Sequence, residues 1–491
     1  MSNAFTSTTT STPTPVPTPA MNMKAGGNYR WVICGLLLFA VIINSMDKFV
    51  ISYLKPFFCS EGEFAGIGFG WNDQDFSHIT MAFTIVWSIA TIFAGIFIDK
   101  VGSRRGLGIA VAVWSTFEMV NALAGRWVGG HVITRSLLGV GEAGCFPGAL
   151  KTAAEWFPKK ERALATGIFN SGASLGAMTA ALFVPWCLVF YGGPLGWKMV
   201  LIYTGAVGFV WIFFWWILGG MPAKMRGKRL SESEYNYIHQ DGQSVAAVET
   251  PKGGFLEQAG EMGRTWLKLL TYRPTWAYAL GKFLTDGIWW FYLFWLPSYL
   301  IAQFPKTDNF DGMTISLAGR LSFIVWGVAI IGSISGGGIA MRLMNKGWSP
   351  YKARLGSMLG FASIPLLVLL VQVLANNQAY FGSKTALAGV IILISISVAA
   401  HQMWSANLYT TPSDWFPSKA VASVSAIGIA AGGAGGALIQ WLVGLLATHY
   451  KSIGNVQMAY TIMFFIAAFA YLTGWVVIKV LVPRFKPITD L

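Results

Sequence analysis

About twelve apolar runs, each of membrane-spanning length, follow one another along this 491-residue chain. They lie at roughly 31–55, 75–98, 106–125, 128–153, 163–190, 197–219, 273–303, 314–341, 353–374, 384–411, 418–447 and 456–481. Inside a bilayer every backbone N–H and C=O needs a partner within the protein, so runs of this length and number predict α-helices packed in a bundle. The chain is 54% hydrophobic and 11% charged, with 22 Trp and 34 Phe, more than a soluble domain of this length needs. The expected fold is all-α, integral to the membrane and multi-pass, with lipid as its surroundings.

A net charge of +14 raises the question of nucleic acid, and the positions of the charges answer it. With Arg30 on the cytoplasmic side, roughly 25 Lys and Arg fall in cytoplasmic segments and about 7 in the opposite loops, which by the positive-inside rule places both termini in the cytoplasm. The expected location is a plasma (inner) membrane. Lys100, Arg104, Arg105, Lys159, Lys160, Arg162 and Arg229 mark the basic side, whereas the first outer loop carries Glu61, Glu63, Asp73 and Asp75. The basicity is topological and argues against a nucleic-acid partner. Cys34, Cys59, Cys145 and Cys187 are scattered and form no disulfide or zinc pattern. Residues 1–20 lack the basic start and apolar core of a signal peptide, and 1–28 read as a disordered, Thr/Pro-rich cytoplasmic tail.

An internal repeat divides the chain. Glu155-Trp156-Phe157-Pro158 precedes the fifth run and Asp414-Trp415-Phe416-Pro417 the eleventh, each followed by a basic residue and a Gly/Ala-rich helix. The offset is about half the chain, which predicts two six-helix bundles related by pseudo-repeat around a central cavity. The bundles are expected at 29–220 and 273–482, with a cytoplasmic linker at 221–272 and a short tail at 483–491. Ser231 and Glu234 predict a capping box for a short amphipathic linker helix that uses Tyr235 and Ile238. No phosphate-cradling Gly-Lys-Ser/Thr loop is present, so an ion gradient is the expected energy source, with no cofactor and no covalent chemistry. The chain is expected to work as a monomer.

Two charges then stand out within the fourth run. Arg135 and Glu142 are seven residues apart, which places them within about 20° on one helix face. At that depth an ionisable group costs several kcal/mol unless it pairs or meets water. A path for an anionic solute is the reading, with a static Arg135–Glu142 pair as the alternative. Between the second and third runs, Gly95, Asp99, Gly102, Arg104 and Arg105 in GIFIDKVGSRR predict a gate latch: Gly102 permits a tight turn and Asp99 can pair with a basic group or a helix start. Gly338 to Arg342, with Asn345-Lys346-Gly347, is a fainter copy.

GIFIDKVGSRR resembles the signature loop of the major facilitator superfamily. The series Arg135, Glu142-Ala143, Phe146-Pro147, Glu155-Trp156-Phe157-Pro158, Glu161-Arg162 and Asn170-Ser171-Gly172 resembles its anion:cation symporter family. Within that family FLTDGIWWFYLFWLPSYL and AHQMWSANLYTTPSDWFP are most similar to the hexuronate transporters. The resemblance covers nearly the whole chain after residue 28. It implies proton-coupled uptake of a small anionic sugar acid, glucuronate or galacturonate, with other organic anions such as aldonates as rivals. A membrane sensor that binds the acid without moving it is the reading from a different class.

The resemblance also implies roles. Arg135 would grip the substrate carboxylate, bidentately as only Arg can, and Glu142 would take part in proton coupling. Asp47 is a further proton candidate; Lys48 stands where relatives often carry Arg, which keeps the charge and gives up the planar fork. Lys282 and Asp286, at i and i+4, match a base and an acid kept by hexuronate transporters, although an intrahelical pair without a ligand explains them nearly as well. His401 is a candidate proton carrier or a structural histidine, and Gln402, Ser405 and Asn407 suit sugar hydroxyls. Asn170 and Trp87 complete the expected pocket, Trp87 replacing a Tyr common in the family. Tyr292 is added from an aromatic segment, Trp289 to Trp295, that otherwise reads as packing and interfacial belt.

Overall fold

A computed structural model describes residues 27–240, 255–307, 310–484 and 488. The expected N-terminal tail up to residue 26 and the end of the chain at 485–487 and 489–491 lie outside these residues. The first half comprises α1 (Tyr29–Phe58), α2 (Asp73–Val101), α3 (Ser103–Asn121), α4 (Val128–Glu142), α5 (Cys145–Trp156), α6 (Lys159–Phe190) and α7 (Gly193–Leu218). Between the halves lie α8 (Pro222–Met225), α9 (Glu232–Ile238) and α10 (Phe255–Leu269). The second half comprises α11 (Arg273–Gln303), α12 (Ile315–Asn345), α13 (Pro350–Ser363), α14 (Leu369–Asn376), α15 (Gln378–Phe381), α16 (Ser383–Leu408), α17 (Thr411–Trp415), α18 (Ser418–Ser452) and α19 (Val456–Leu481). No strand occurs among the described residues, only two isolated bridges.

Twelve membrane passages result once two broken ones are joined. The fourth passage is α4 and α5, interrupted at Ala143-Gly144; the ninth is α13 and α14 joined by a 3-10 turn at Ile364–Val368, with Pro365 inside it. Nine segments among the described residues are long and apolar enough to cross a membrane. The remaining three passages, α3, α4 with α5, and α11, each carry interior charge, Glu118, Arg135 with Glu142, and Lys282 with Asp286, as α1 also does with Asp47 and Lys48. Polar groups at membrane depth face the interior of a bundle, so weak hydropathy here marks a lining position.

The repeat is legible in geometry. Pro158 and Pro417 cap α6 and α18 with φ/ψ of −63/155 and −63/151, as fits proline at a helix entrance. The acid of each tetrapeptide reaches back to an earlier helix: Glu155 Oε2 accepts from Ser103 Oγ at 2.5 Å, and Asp414 Oδ2 lies 2.5 Å from Arg354 Nε. The small-residue helices pack likewise. A Cβ on Gly176 of α6 would sit 2.4 Å from the Ile42 carbonyl of α1, and one on Gly435 of α18 would sit 2.0 Å from the Phe283 carbonyl of α11. Glycine is required at both because backbones touch.

The linker clamps the first half. Ser231 accepts from the Glu234 N–H at 3.2 Å, as a capping box begins, but the Glu234 carboxylate turns elsewhere. It accepts from the backbone N–H groups of Tyr29 and Arg30, both at 3.1 Å, and pairs with Arg30 Nη1 at 3.1 Å. The second half of the predicted box is therefore corrected: the start of α1 offers unsatisfied N–H donors and a cation, a stronger attraction than one local N–H. Arg30 also binds Glu161 at 2.8 Å, and the Tyr237 hydroxyl donates to Glu161 at 2.7 Å. Tyr237 and Ile238 are buried and Tyr235 half-buried.

At the opposite end the halves meet. Lys55, fully buried, lies 2.7 Å from Glu61 and 2.6 Å from Asp73, and Lys451 of α18 approaches the same two carboxylates at 3.6 and 3.7 Å. Thr80 donates to Gln440 at 3.1 Å, and Glu63 accepts from the Ile315 N–H at 3.2 Å.

Because Gly176 has no room for a side chain and Gly167 has open space around its Cβ position, the two separate on substitution. Gly176→Leu is expected to lower stability by about 3 kcal/mol through overpacking, while Gly167→Ala leaves it nearly unchanged. Thermal denaturation of the purified protein in detergent is the measurement.

Candidate functional site

Five charged side chains meet at mid-depth in the first half. Arg135 of α4 is 1% exposed, and its Nη1 lies 2.9 Å from Oε2 of the fully buried Glu118 of α3. Its Nη2 donates to the Asp47 carbonyl at 3.1 Å, and the Phe83 ring of α2 covers the guanidinium at 5.2 Å. Asp47 and Lys48 diverge as adjacent helical residues must. The Asp47 carboxylate is fully buried and neither oxygen has a hydrogen-bond partner. Lys48 donates to Asn44 Oδ1 at 2.7 Å, faces Glu142 at 3.6 Å and lies over the Trp87 ring at 5.2 Å. At 15% exposure Lys48 is the member of the cluster most open to its surroundings.

The alternative reading, a static Arg135–Glu142 pair, is not what forms. Glu142 ends α4, where the passage breaks, and lies opposite Lys48; its oxygens have no hydrogen bond shorter than that ion contact. Glu118, which the sequence reading did not single out, is the true partner of Arg135. An acid within the apolar run VWSTFEMVN was the signal that could have found it.

In the second half Lys282 Nζ lies 2.7 Å from Asp286 Oδ2, as the i, i+4 spacing allows, and 4.0 Å over the Tyr409 ring. Lys282 is 2% exposed and Asp286 17%. His401 engages the Tyr471 hydroxyl at 2.8 Å through Nδ1 and the Ser405 hydroxyl at 3.2 Å through Nε2, and stacks on Trp289 at 4.9 Å. Both ring nitrogens are thus occupied. Gln402 is half-buried beside them.

Aromatic rings connect the two clusters. Trp87 contacts Trp290 edge-on at 5.6 Å, Phe83 approaches Trp290 and Phe294 at 6.4 Å each, and Phe49 meets Trp326, which in turn meets Trp289. Trp289 and Trp290 pack as the sequence suggests, Trp290 against Trp87 of the first half and Trp289 against His401 and Trp326. Tyr292 is buried against the Ser397 hydroxyl at 3.2 Å, and Asn407 donates to the carbonyls of Gly336 and Met403 at 3.0 Å each. Tyr292 thereby joins α11 to α16, and Asn407 joins α16 to α12. Asn170 is exposed on α6.

The loop motif makes its contacts within the first half. Asp99 pairs with Lys151 of α5 at 2.8 Å, and Lys151 also donates to the carbonyls of Ile98 and Asp99 at 3.3 and 3.4 Å. Gly102, with φ at +86°, makes the turn between α2 and α3, and a Cβ at Gly95 would meet open space. Arg104 donates to the Trp216 carbonyl at 2.7 Å and lies 5.0 Å over that ring, while Arg105 is exposed.

The family profile described as the Major Facilitator Superfamily matches residues 37–413. The chain belongs to that superfamily. It is accordingly a multi-pass membrane transporter and no enzyme. The hexuronate transporter of Escherichia coli K12 is 28% identical over 418 residues, covering 85% of this chain and 88% of the relative. The D-galactonate transporter of E. coli O6:H1 is 26% identical over 432 residues, covering 88% and 92%. The galacturonate transporter of Dickeya chrysanthemi is 28% identical over 277 residues, covering 56% and 73%. Among solved structures, a bacterial homolog of the human lysosomal transporter Spinster, inward-facing and occupied, superposes with a TM-score of 0.66 at 18% identity, covering 94% of this chain and 100% of that one. The xylose transporter XylE of E. coli, partially occluded and inward open, gives 0.64 at 13%, covering 94% and 100%. Both share the superfamily fold.

In this transporter Lys282 is buried beside the part-exposed Asp286, so removing the acid strands the lysine. Asp286→Ala is expected to destabilise the protein by about 3 kcal/mol, and the double variant Lys282→Ala/Asp286→Ala to recover most of that loss. Denaturation midpoints of the two variants in detergent check it.

Proposed function

We propose that the chain is a proton-coupled symporter that imports a hexuronate, glucuronate or galacturonate, by alternating access. The observation that carries the reading is Lys48: a part-exposed ammonium with Glu142 at 3.6 Å and the Trp87 ring at 5.2 Å, next to the buried Arg135. A cation for the carboxylate, a flat ring for the sugar face and an acid to exchange a proton are the three things such a substrate requires. The names of the hexuronate and galacturonate transporters among its relatives support the same class, and the D-galactonate transporter keeps an aldonate as the second reading.

In this mechanism the substrate carboxylate is drawn to Lys48 and gripped by Arg135, while Lys282 holds the far end of the sugar with Asp286 positioning it. Trp87 and Trp289 flank the ring, and Gln402, Ser405 and, when the passages rearrange, Asn170 meet hydroxyls. Glu142 and Asp47 load protons that neutralise the cluster as the anion arrives. Bundles at 29–220 and 273–482 then rock about the site, joined by the linker at 221–272, with both termini in the cytoplasm, the inner membrane as location and one chain as the working unit. Outward opening separates Lys451 from Glu61 and Asp73, whose distances of 3.6 and 3.7 Å close the far end here.

Uptake into proteoliposomes with an imposed inward proton gradient tests the proposal. Labelled glucuronate or galacturonate should accumulate above its outside concentration and galactonate should compete weakly; accumulation of galactonate alone would favour the aldonate reading, and binding of either acid without accumulation would favour a sensor. Arg135→Lys is expected to weaken substrate binding about a hundredfold, since charge survives and the two-pronged grip is lost. Glu142→Gln should retain binding and exchange but lose uphill accumulation, because the amide imitates a permanently protonated carboxyl. Equilibrium binding on purified protein, set beside gradient-driven uptake, separates these outcomes.

A further inference from the structure

Arg135 is held by a carboxylate of its own chain. Glu118 Oε2 takes one arm of its guanidinium at 2.9 Å, with both side chains at 1% exposure or less. The group that occupies Arg135 is thus chemically the same as the group expected to bind it. We propose that Glu118 is an internal counter-ion which the substrate carboxylate displaces from Arg135, and that Glu118 takes up a proton as it is displaced. The inference rests on the sugar-acid reading above and adds a residue that reading does not use.

Exchange of one carboxylate for another at Arg135 conserves the ion pair, so the free-energy difference lies in what becomes of Glu118. Left ionised, it would be a buried charge without a partner, which costs several kcal/mol. The local balance makes this worse: Asp47, Glu118 and Glu142 face only Lys48 and Arg135, so the cluster already holds one acid more than it has bases. A proton from solvent, added to a Glu118 oxygen, turns carboxylate into carboxylic acid; only the Arg135–Glu118 contact is lost, and the proton leaves when substrate departs and Glu118 returns.

An acceptor for that proton is already in place. Thr204 Oγ1 of α7 lies 3.4 Å from Glu118 Oε1, and its hydroxyl can instead donate to the Val200 carbonyl at 3.0 Å, which leaves lone pairs for a neutral Glu118. The remaining groups near Glu118 are accounted for. Asp47 comes from α1, and Arg135, His131 and Thr134 from α4; Thr134 donates to Asn121 at 2.7 Å and His131 lies 3.0 Å from the Gly125 carbonyl. Lys151 and Glu155 of α5 are engaged with Asp99 and Ser103. From α2 comes Phe83, the ring that covers Arg135 and touches Trp290 and Phe294 of the second half, so movement between the halves shifts that cover.

Glucuronate binding to the purified full-length chain, measured from about pH 5.5 to 8.5, tests the inference, since each linked proton changes affinity by up to about tenfold per pH unit. Glu118→Gln should bind about tenfold more tightly than wild type at the alkaline end and lose one proton from the pH dependence; Glu118→Asp should keep the wild-type slope. Weaker binding by Glu118→Gln at every pH with the wild-type slope would overturn the inference and make Glu118 a structural prop. Should Glu118→Gln not fold, Thr204→Val is read instead: a reduced slope supports the inference and an unchanged slope overturns it. Wild-type protein that binds neither glucuronate, galacturonate nor galactonate overturns the sugar-acid reading and this inference with it, whereas wild-type binding with an unchanged slope in Glu118→Gln overturns this inference alone.

Discussion

A guanidinium and a carboxylate, Arg135 and Glu118, are kept from water at mid-depth, and much of the first half is arranged around keeping them together. Neither can be buried alone, because an unpaired charge in such a place costs several kcal/mol, so α3 and α4 must pack in the register that joins them. The Asp47 carbonyl supplies the next contact and brings in α1; the Phe83 ring closes the face and brings in α2. Thr204 adds α7. A site with charge at its centre thereby organises five helices, and any step that frees Arg135 for a solute has to compensate Glu118.

The two ends of the molecule are held differently. Far from the linker, Lys55 and Lys451 share Glu61 and Asp73, and polar contacts from Thr80 and Glu63 reach the second half. At the linker end, α9 is bound to the starts of α1 and α6 through Glu234, Arg30 and Tyr237. Between these ends aromatic contacts run from Trp87 and Phe83 to Trp290 and Phe294, beside close small-residue packing of α18 on α2 at Gly433 and Ser88. Rings slide and tilt at little cost, whereas buried ion pairs have to be broken outright.

Several site residues lost their expected partners for a common reason. The spacing of Arg135 and Glu142 correctly placed both on one helix, yet each found a nearer opposite charge on another helix, Glu118 and Lys48. Lys282 and Asp286, four residues apart, found each other because their distance depends on helix geometry alone. Glu234 shows the same limit: its spacing from Ser231 predicted a local box, and the start of α1, distant in sequence, captured it. Asn407 and Tyr292 lie in the expected passages, and their partners, Gly336 of α12 and Ser397 of α16, were set by packing between helices.

By itself the sequence determined the helical class, the twelve passages, the two-fold repeat and, Glu118 apart, the site residues that carry charge into the membrane. These follow from hydropathy, from the recurrence of Trp-Phe-Pro after an acid, and from the requirement that backbone polar groups be satisfied within each helix. Tertiary structure alone decided which partners meet across helices: that Arg135 meets Glu118, that the Asp47 carboxylate is left without a hydrogen bond, and that Trp290 meets Trp87 while Trp289 stacks on His401. Local spacing sets direction along one helix, whereas the strength of a buried charge contact depends on distances between helices, which exist only once the bundle has packed.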